Sequence, residues 1–139
     1  MLKRTVKTPK LYFFDTGLVA YLTRYSSPEI LANGASNGAI LENYVVSELL
    51  KTYHNSTKEC MIWYYRDKDS NEFDIVIESD GVLHPLDIKR AANPGSELAG
   101  AFTILDKASV PRGKGALLCM RPELSAINSQ NFIVPIWMI

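Results

Sequence analysis

The feature that most constrains this chain is a pair of apolar, strand-like segments separated by Ser79-Asp80-Gly81. The segments read EFDIVIE at 72–78 and VLHPLDIKR at 82–90. Asp80-Gly81 predicts a two-residue hairpin turn, because a type I′ turn needs positive φ at both central residues. The chain is therefore expected to contain an antiparallel hairpin that carries charges inside its strands, where an unpaired buried carboxylate is costly.

Counting outward from the turn predicts which residues face each other. Ser79 pairs with Val82, and the same count places Asp74 opposite Asp87. Directly opposed Cβ atoms lie about 4.5–5.5 Å apart, which suits two carboxylates that share one Mg²⁺ ion. Lys89 points to the same side as Asp87, since side chains alternate along a strand. The alternative is a set of exposed surface charges, which needs no metal.

Alternation also predicts the faces of the first strand. One face carries Phe73, Ile75 and Ile77, and the other carries Asp74, Val76 and Glu78. Pro85 has no N–H, so the second strand is expected to have a bulge there or one unpaired side. His84 is predicted to face away from Asp87 and to be structural.

Composition limits the class of protein. The 139 residues suit one domain, and 47% hydrophobic content suffices for a core. The fifteen basic and fifteen acidic side chains give no net charge, so the overall charge does not indicate a nucleic-acid binder. Cys60 and Cys119 lie far apart in no Cys/His cluster, so neither a zinc site nor a disulfide is expected. No apolar run approaches the ~18 residues of a membrane span, so we expect a cytoplasmic protein without membrane contact.

The first ten residues carry basic side chains and no acid, at Lys3, Arg4, Lys7 and Lys10. This basic arm contacts phosphate or is a solvated terminus or linker remnant.

Local patterns predict the remaining elements. In the first half of the chain they predict a strand at 10–14, a helix from its cap Asp15 to about Arg24, a loop at 26–38 and a helix at about 39–53 with Asn37 or Ser36 as N-cap. A strand follows at 61–65. After the hairpin they predict a helix from its N-cap Ser96 to about Lys107, and strands at 114–120 and 131–139. Their order fits a mixed α/β sheet with helices on both faces.

A helix carrying Glu42, a second strand carrying Asp74 and a third carrying Asp87-x-Lys89 resemble the PD-(D/E)XK nuclease-like fold. The resemblance implies the α/β class, with a restriction-endonuclease-like mixed sheet flanked by helices. It implies Mg²⁺ or Mn²⁺ held by Asp74, Asp87 and the backbone carbonyl of Ile88. Glu42 is a third carboxylate or a holder of metal-bound water, or else an acid favoured by the helix dipole. Lys89 would orient the attacking water and stabilise negative charge.

Further blocks look like an uncharacterised domain, a domain of unknown function, at the C-terminus of bacterial and archaeal AAA+-type ATPases. They read PKLYFFDTGL at 9–18, GAILENYVVSEL at 38–49, WYYR at 63–66, EFDIVI at 72–77 and PLDIK at 85–89. The chain has no G-x-x-x-x-G-K-[ST] motif, so the resemblance implies that residues 1–139 are a single domain from the C-terminal part of a longer ATPase. Asp87 departs from the family, which more often has Glu there.

Two functions follow from these resemblances. The first is a metal-dependent deoxyribonuclease domain that acts on DNA as an accessory to the ATPase. The second is a non-catalytic module on the same fold that binds DNA or a protein and targets the ATPase. The complete set of acids and lysine favours the first, and the neutral net charge favours the second.

Overall fold

The computed structural model describes residues 9–59, 61–67 and 71–139. Lys3, Arg4, Lys7 and Cys60 lie outside these ranges. The helices are α1 Thr16–Leu22, α2 Pro28–Asn33 and α3 Asn37–Asn55, with 3₁₀ helices at Ser96–Lys107 and Ile136–Met138. The strands are β1 Met61–Arg66, β2 Glu72–Ser79, β3 Val82–Lys89, β4 Gly115–Cys119, β5 Ser125–Ala126 and β6 Asn131–Pro135.

The strands of the described ranges form one six-stranded sheet in the order β1-β2-β3-β4-β6-β5. β2 pairs antiparallel with β1 and with β3, whereas β4 pairs parallel with β3 and with β6. β5 runs antiparallel to β6 at the edge. The predicted mixed α/β sheet is confirmed.

The hairpin turn forms as predicted. Ser79 pairs with Val82, and the register continues to Ile75 opposite Leu86. Asp80 has φ 51° and Gly81 has φ 73°, which is the geometry that a type I′ turn requires.

An extra residue in β2 interrupts its alternation. β1 advances two residues from Trp63 to Tyr65, while β2 runs three residues from Val76 back to Phe73. Two residues of β2 therefore oppose one of β1, which defines a β-bulge at 74–75.

The bulge reverses the face of Phe73. Phe73 packs in the same core cluster as Val76, whereas Ile75 and Ile77 pack in the other. The prediction that Phe73 shares a face with Ile75 is therefore wrong, because a bulge shifts the two-residue period by one. Bulges commonly re-aim a neighbouring side chain, and here the neighbour is Asp74.

Pro85 leaves one side of β3 partly unpaired, one of its two predicted outcomes. Pairing with β2 runs through Pro85 without a register shift. Leu83 directs its N–H to Pro111 (2.9 Å) and accepts from Gly113 (2.9 Å), so residue 85 faces the same side. The ladder with β4 begins only at Leu86, beyond the missing donor.

The sheet separates two hydrophobic cores. Val45 and Val46 of α3 pack with Ile75, Ile77 and Ile88 on one face. The other core contains Phe102 and Leu105 of the 3₁₀ helix Ser96–Lys107, together with Phe73, Val76, Leu83 and Leu117. Helices thus flank both faces. In the described part of the chain, no helix is both long and apolar enough to cross a bilayer.

The predicted strand at 10–14 does not form. The N–H of Phe13 donates to Asn43 Oδ1 (2.6 Å), and Asn43 Nδ2 donates to the carbonyl of Phe13 (2.8 Å). A buried side-chain amide on α3 therefore provides the partners that a neighbouring strand would have given.

Two helix starts differ from prediction. Residues 26–38 contain α2, which begins at Pro28 with Ser27 as N-cap, because proline suits the first helical position. The helix at 96–107 is a 3₁₀ helix with Gly95 rather than Ser96 as its N-cap. Inside it Gly100 lowers helix propensity, and the hydroxyl of Thr103 donates to the Gly100 carbonyl (2.8 Å).

The end of the chain also differs. The predicted strand at 131–139 stops at Pro135 and continues as the 3₁₀ helix Ile136–Met138. β5 was not predicted, because two residues carry no measurable periodicity. By contrast, Asp15 caps α1 as predicted, with Oδ1 accepting from the N–H of Leu18 (3.1 Å).

We expect Gly81→Ala to lower the free energy of unfolding by about 1 kcal/mol, because a Cβ disfavours positive φ. An added Cβ at Gly81 meets nothing within 4 Å, so only backbone strain contributes. Urea denaturation measures the effect. Gly38→Ala in α3 is the matched control, since its Cβ also meets nothing and no positive φ is involved. Equal effects of the two substitutions would contradict the turn assignment.

Candidate active site

Asp74 and Asp87 lie together at the end of the hairpin. The Ile88 N–H donates to Asp74 Oδ2 (2.9 Å). Burial is the main cause that raises the pKa of Asp74 to about 6, and a hydrogen bond and charge repulsion from Asp87 act in the same direction. The Ile88 N–H and Lys10 oppose this rise. The two carboxylates therefore need positive compensation in order to be ionised together.

Lys89 supplies part of that compensation. Its Nζ lies 2.8 Å from Asp87 Oδ2. The Asp87 side chain is only 12% exposed, while that of Lys89 is 37% exposed. The structure thus brings Asp74, Asp87 and Lys89 into one chain of contacts, as the alternation of β3 predicted for the last two.

Lys10 is a site residue that the sequence assigned to a basic arm. Its Nζ lies 3.0 Å from Glu42 Oε1, 3.1 Å from Glu72 Oε1 and 3.8 Å from Asp74 Oδ1. The ammonium also lies 5.5 Å from the centre of the Tyr64 ring. We call Glu42, Glu72 and Asp74 the acidic pocket.

The ammonium of Lys10 remains charged in this pocket. Burial lowers the pKa of Lys10, but hydrogen bonds and charge attraction from the acidic pocket outweigh it, so the net shift is upward. The contacts join residues far apart in sequence, and local patterns carry no signal for them. In the sequence, the hint is that Lys10 lies within the block PKLYFFDTGL at 9–18 and directly precedes an apolar run.

Glu42 is engaged by two donors. Tyr12 Oη donates to Glu42 Oε1 (2.6 Å), the oxygen that Lys10 also contacts. Burial and the Glu42 carboxylate raise the pKa of Tyr12, so its hydroxyl stays protonated and donates. The Glu42 side chain is 23% exposed, so it is not a solvated surface acid. Lys10 connects it to Asp74.

The carboxylate oxygens of this site suit a small, hard divalent cation. Mg²⁺ is often held by one or two carboxylates together with substrate phosphates. Asp74 and Asp87 would provide the carboxylates of such a set, and the backbone carbonyl of Ile88 would add a third oxygen donor. Within 9–59, 61–67 and 71–139, no three His, Cys, Asp or Glu side chains are arranged around one metal position. Glu42 as a third ligand therefore stays a prediction.

A cavity of about 850 Å³ opens beside the site. Lys10, Tyr12 and Asp74 line it together with β1 residues that include Trp63 and Arg66. Trp63 is 49% exposed, and its Nε1 donates to a Glu78 oxygen 3.2 Å away. Asp74 of β2 thus lines a cavity that residues of β1 also border.

Three neighbouring residues of β1 and β3, and of the turn after β3, make structural contacts. The His84 ring Nδ1 lies 2.9 Å from the Lys114 carbonyl, away from the acids. Tyr65 stacks on Phe73, with ring centres 5.0 Å apart, and so belongs to the core. Arg90 donates to the carbonyl of Ala32 (2.7 Å) and ties β3 to α2.

We expect Asp74→Asn to stabilise the metal-free fold at pH 7.5 by about 2 kcal/mol, because the substitution removes the cost of ionising a buried acid. The pKa of Asp74 is raised from 3.8 to about 6. The wild type therefore loses stability as pH rises between these values, and the gain should vanish near pH 4. Urea denaturation in EDTA at both pH values measures this. A gain that is equal at pH 4 and pH 7.5 would contradict the assignment.

We expect Asn43→Leu to lower the free energy of unfolding by about 2 kcal/mol, because the backbone of Phe13 loses two hydrogen bonds. Urea denaturation measures the loss. Asn33→Ala is the control: the amide of Asn33 also donates to a backbone carbonyl, that of Glu29, but at an exposed position. A loss no larger than that of the control would show that Asn43 does not hold this segment.

Comparison with known proteins places these residues in a family. The profile of a family described as a domain of unknown function, DUF4143, matches residues 37–139. That range contains every site residue except Lys10 and Tyr12. Uncharacterized proteins of Mycobacterium tuberculosis and Mycobacterium bovis are each 28% identical over 104 residues, which are 75% of this chain and 23% of the relative. The chain thus spans less than a quarter of the length of these relatives. Because the profile covers well over half of the chain, the chain belongs to the DUF4143 family, a domain of unknown function.

Proposed function

We propose that this domain is a restriction-endonuclease-like, PD-(D/E)XK-type nuclease that hydrolyses DNA phosphodiester bonds with Mg²⁺ or Mn²⁺. The observation that carries the proposal is the contact chain Asp74–Asp87–Lys89. Asp74 Oδ2 accepts the Ile88 N–H, Asp87 lies close enough to raise the pKa of Asp74, and Lys89 Nζ lies 2.8 Å from Asp87 Oδ2. Two acids and a lysine converging at one strand end are the groups that phosphodiester hydrolysis needs.

Each group has a role in this reaction. Asp74, Asp87 and the carbonyl of Ile88 would hold the cation, which lowers the pKa of water and neutralises charge on the phosphate when bound. Lys89 Nζ lies 2.8 Å from Asp87 Oδ2, and its ammonium would orient the attacking water and stabilise negative charge. Glu42 would anchor a water molecule at the rim of the pocket.

The alternative function is a non-catalytic module that binds DNA or a protein partner. Lys10 favours it, because this ammonium already neutralises the acidic pocket. The equal numbers of basic and acidic residues also favour it, since a duplex binder usually presents a basic face.

We further propose that the domain works within a longer, cytoplasmic protein that contains an AAA+-type ATPase region. The resemblance of the sequence blocks supports this proposal. The matched segment makes up 23% of the mycobacterial relatives, so these proteins have room for another domain.

A plasmid-nicking assay tests the nuclease proposal. The wild type should nick supercoiled DNA with Mg²⁺ or Mn²⁺ but not with EDTA. Asp74→Asn and Lys89→Ala should each reduce the rate at least about 100-fold, because the first removes a carboxylate that holds the metal and the second removes an ammonium that stabilises negative charge. Lys114→Ala is the control, since this lysine lies over the Phe132 ring, outside the site.

Nicking that persists in EDTA, or that both site substitutions leave unchanged, would refute the nuclease proposal. Metal-independent DNA or protein binding without nicking would instead support the non-catalytic module.

A further inference from the structure

We propose that the ammonium of Lys10 is an internal counter-ion of the acidic pocket, which a divalent cation must displace in order to bind Asp74. Lys10 thereby lowers the affinity of the site for metal. This inference rests on the metal site of the proposed function and concerns its regulation.

The position of Lys10 Nζ supports this role. It contacts carboxylates from two elements, Glu42 on α3 and both Glu72 and Asp74 on β2. Opposite charges within about 4 Å favour the charged form of each group. In the absence of metal, Lys10 is therefore a cation shared by all three acids, whereas Arg66 Nε faces Glu72 alone, 3.8 Å from its Oε2.

The two oxygens of Asp74 explain why metal and lysine compete. Oδ2 accepts the Ile88 N–H at 2.9 Å, whereas Oδ1 faces Lys10 Nζ at 3.8 Å. Oδ1 thus accepts no hydrogen bond from the Ile88 N–H, and it is the Asp74 oxygen that Lys10 faces. A divalent ion at Oδ1 would meet a like charge at short range, which is repulsive in a partly buried site.

Lys10 is held in the pocket by its own segment. Its side chain is 26% exposed and packs over the Tyr64 ring. Three residues later the backbone of Phe13 is bonded to Asn43 on α3. These contacts restrain the Lys10 side chain in the acidic pocket. A metal ion must therefore compete with the Lys10 ammonium in order to bind there.

Calorimetry with Mn²⁺ tests the competition. Lys10→Met keeps the apolar length of the side chain and removes its charge, so the variant should bind Mn²⁺ about tenfold more tightly than the wild type. Lys10→Arg keeps the charge and should bind as the wild type does. Lys51→Met is the matched control, because Lys51 pairs with Glu48 outside the pocket. A merely structural role for Lys10 gives weaker binding in Lys10→Met, and this result would overturn the proposal.

Thermal unfolding gives a second readout of the same variants. In EDTA, Lys10→Met should melt below the wild type, because Glu42 and Asp74 have lost the ammonium that pairs with them. Saturating Mn²⁺ should restore most of this difference, since the metal then takes the position of the ammonium. A loss that Mn²⁺ does not restore would overturn the exchange of cations.

A measurement on the wild type covers the case in which Lys10→Met does not fold. Acylation by an amine-reactive ester, read by mass spectrometry, should modify Lys10 slowly in EDTA and several-fold faster in saturating Mg²⁺. Lys51 should react equally in both. Unchanged reactivity of Lys10 while Mg²⁺ binds would overturn the inference and leave the nuclease proposal standing. If neither the wild type nor Lys10→Met binds a divalent cation, both proposals fall.

Discussion

The burial of two neighbouring carboxylates is the constraint around which this end of the fold is arranged. Asp74 and Asp87 lie close enough for burial and mutual repulsion to raise the pKa of Asp74 to about 6. The surroundings counter the repulsion with the Ile88 N–H on Asp74 and with Lys89 on Asp87. A fold that tolerates this cost without a function for it would be unusual, since strained and charged groups concentrate at functional sites.

The bulge in β2 and the segment before α1 serve this arrangement. The bulge at 74–75 interrupts the regular alternation next to Asp74. The segment around Phe13 is held to α3 by the side chain of Asn43, and it carries Lys10 and Tyr12 to the acids. Both features lie at the boundary between the hydrophobic cores and the charged site. The two cores on either side of the sheet provide the rigid frame on which the charges are held.

The same contacts link the fold to its proposed chemistry. A site that already contains two lysine ammonium groups can be poised between two states, with positive charge supplied by the protein or by a bound cation. If the domain is the nuclease proposed above, this competition gives a physical reason why it would not be constantly active. In a longer protein, the occupant of the pocket would be a natural point of control.

Local sequence alone determined the hairpin and its register. Asp80-Gly81 favours one turn type, and once the turn is set, the pairing of the strands from Ser79–Val82 to Ile75–Leu86 follows by counting. The cap at Asp15, the long helix with Glu42 and the mixed sheet were also predictable, because short-range propensity and periodicity control them.

Tertiary structure decided the face of Phe73, the hydrogen bonds between Asn43 and Phe13, and the position of Lys10. These depend on a bulge and on contacts between residues distant in sequence, and a charge assigned to a basic arm becomes a site residue only when α3 and β2 bring three carboxylates around it.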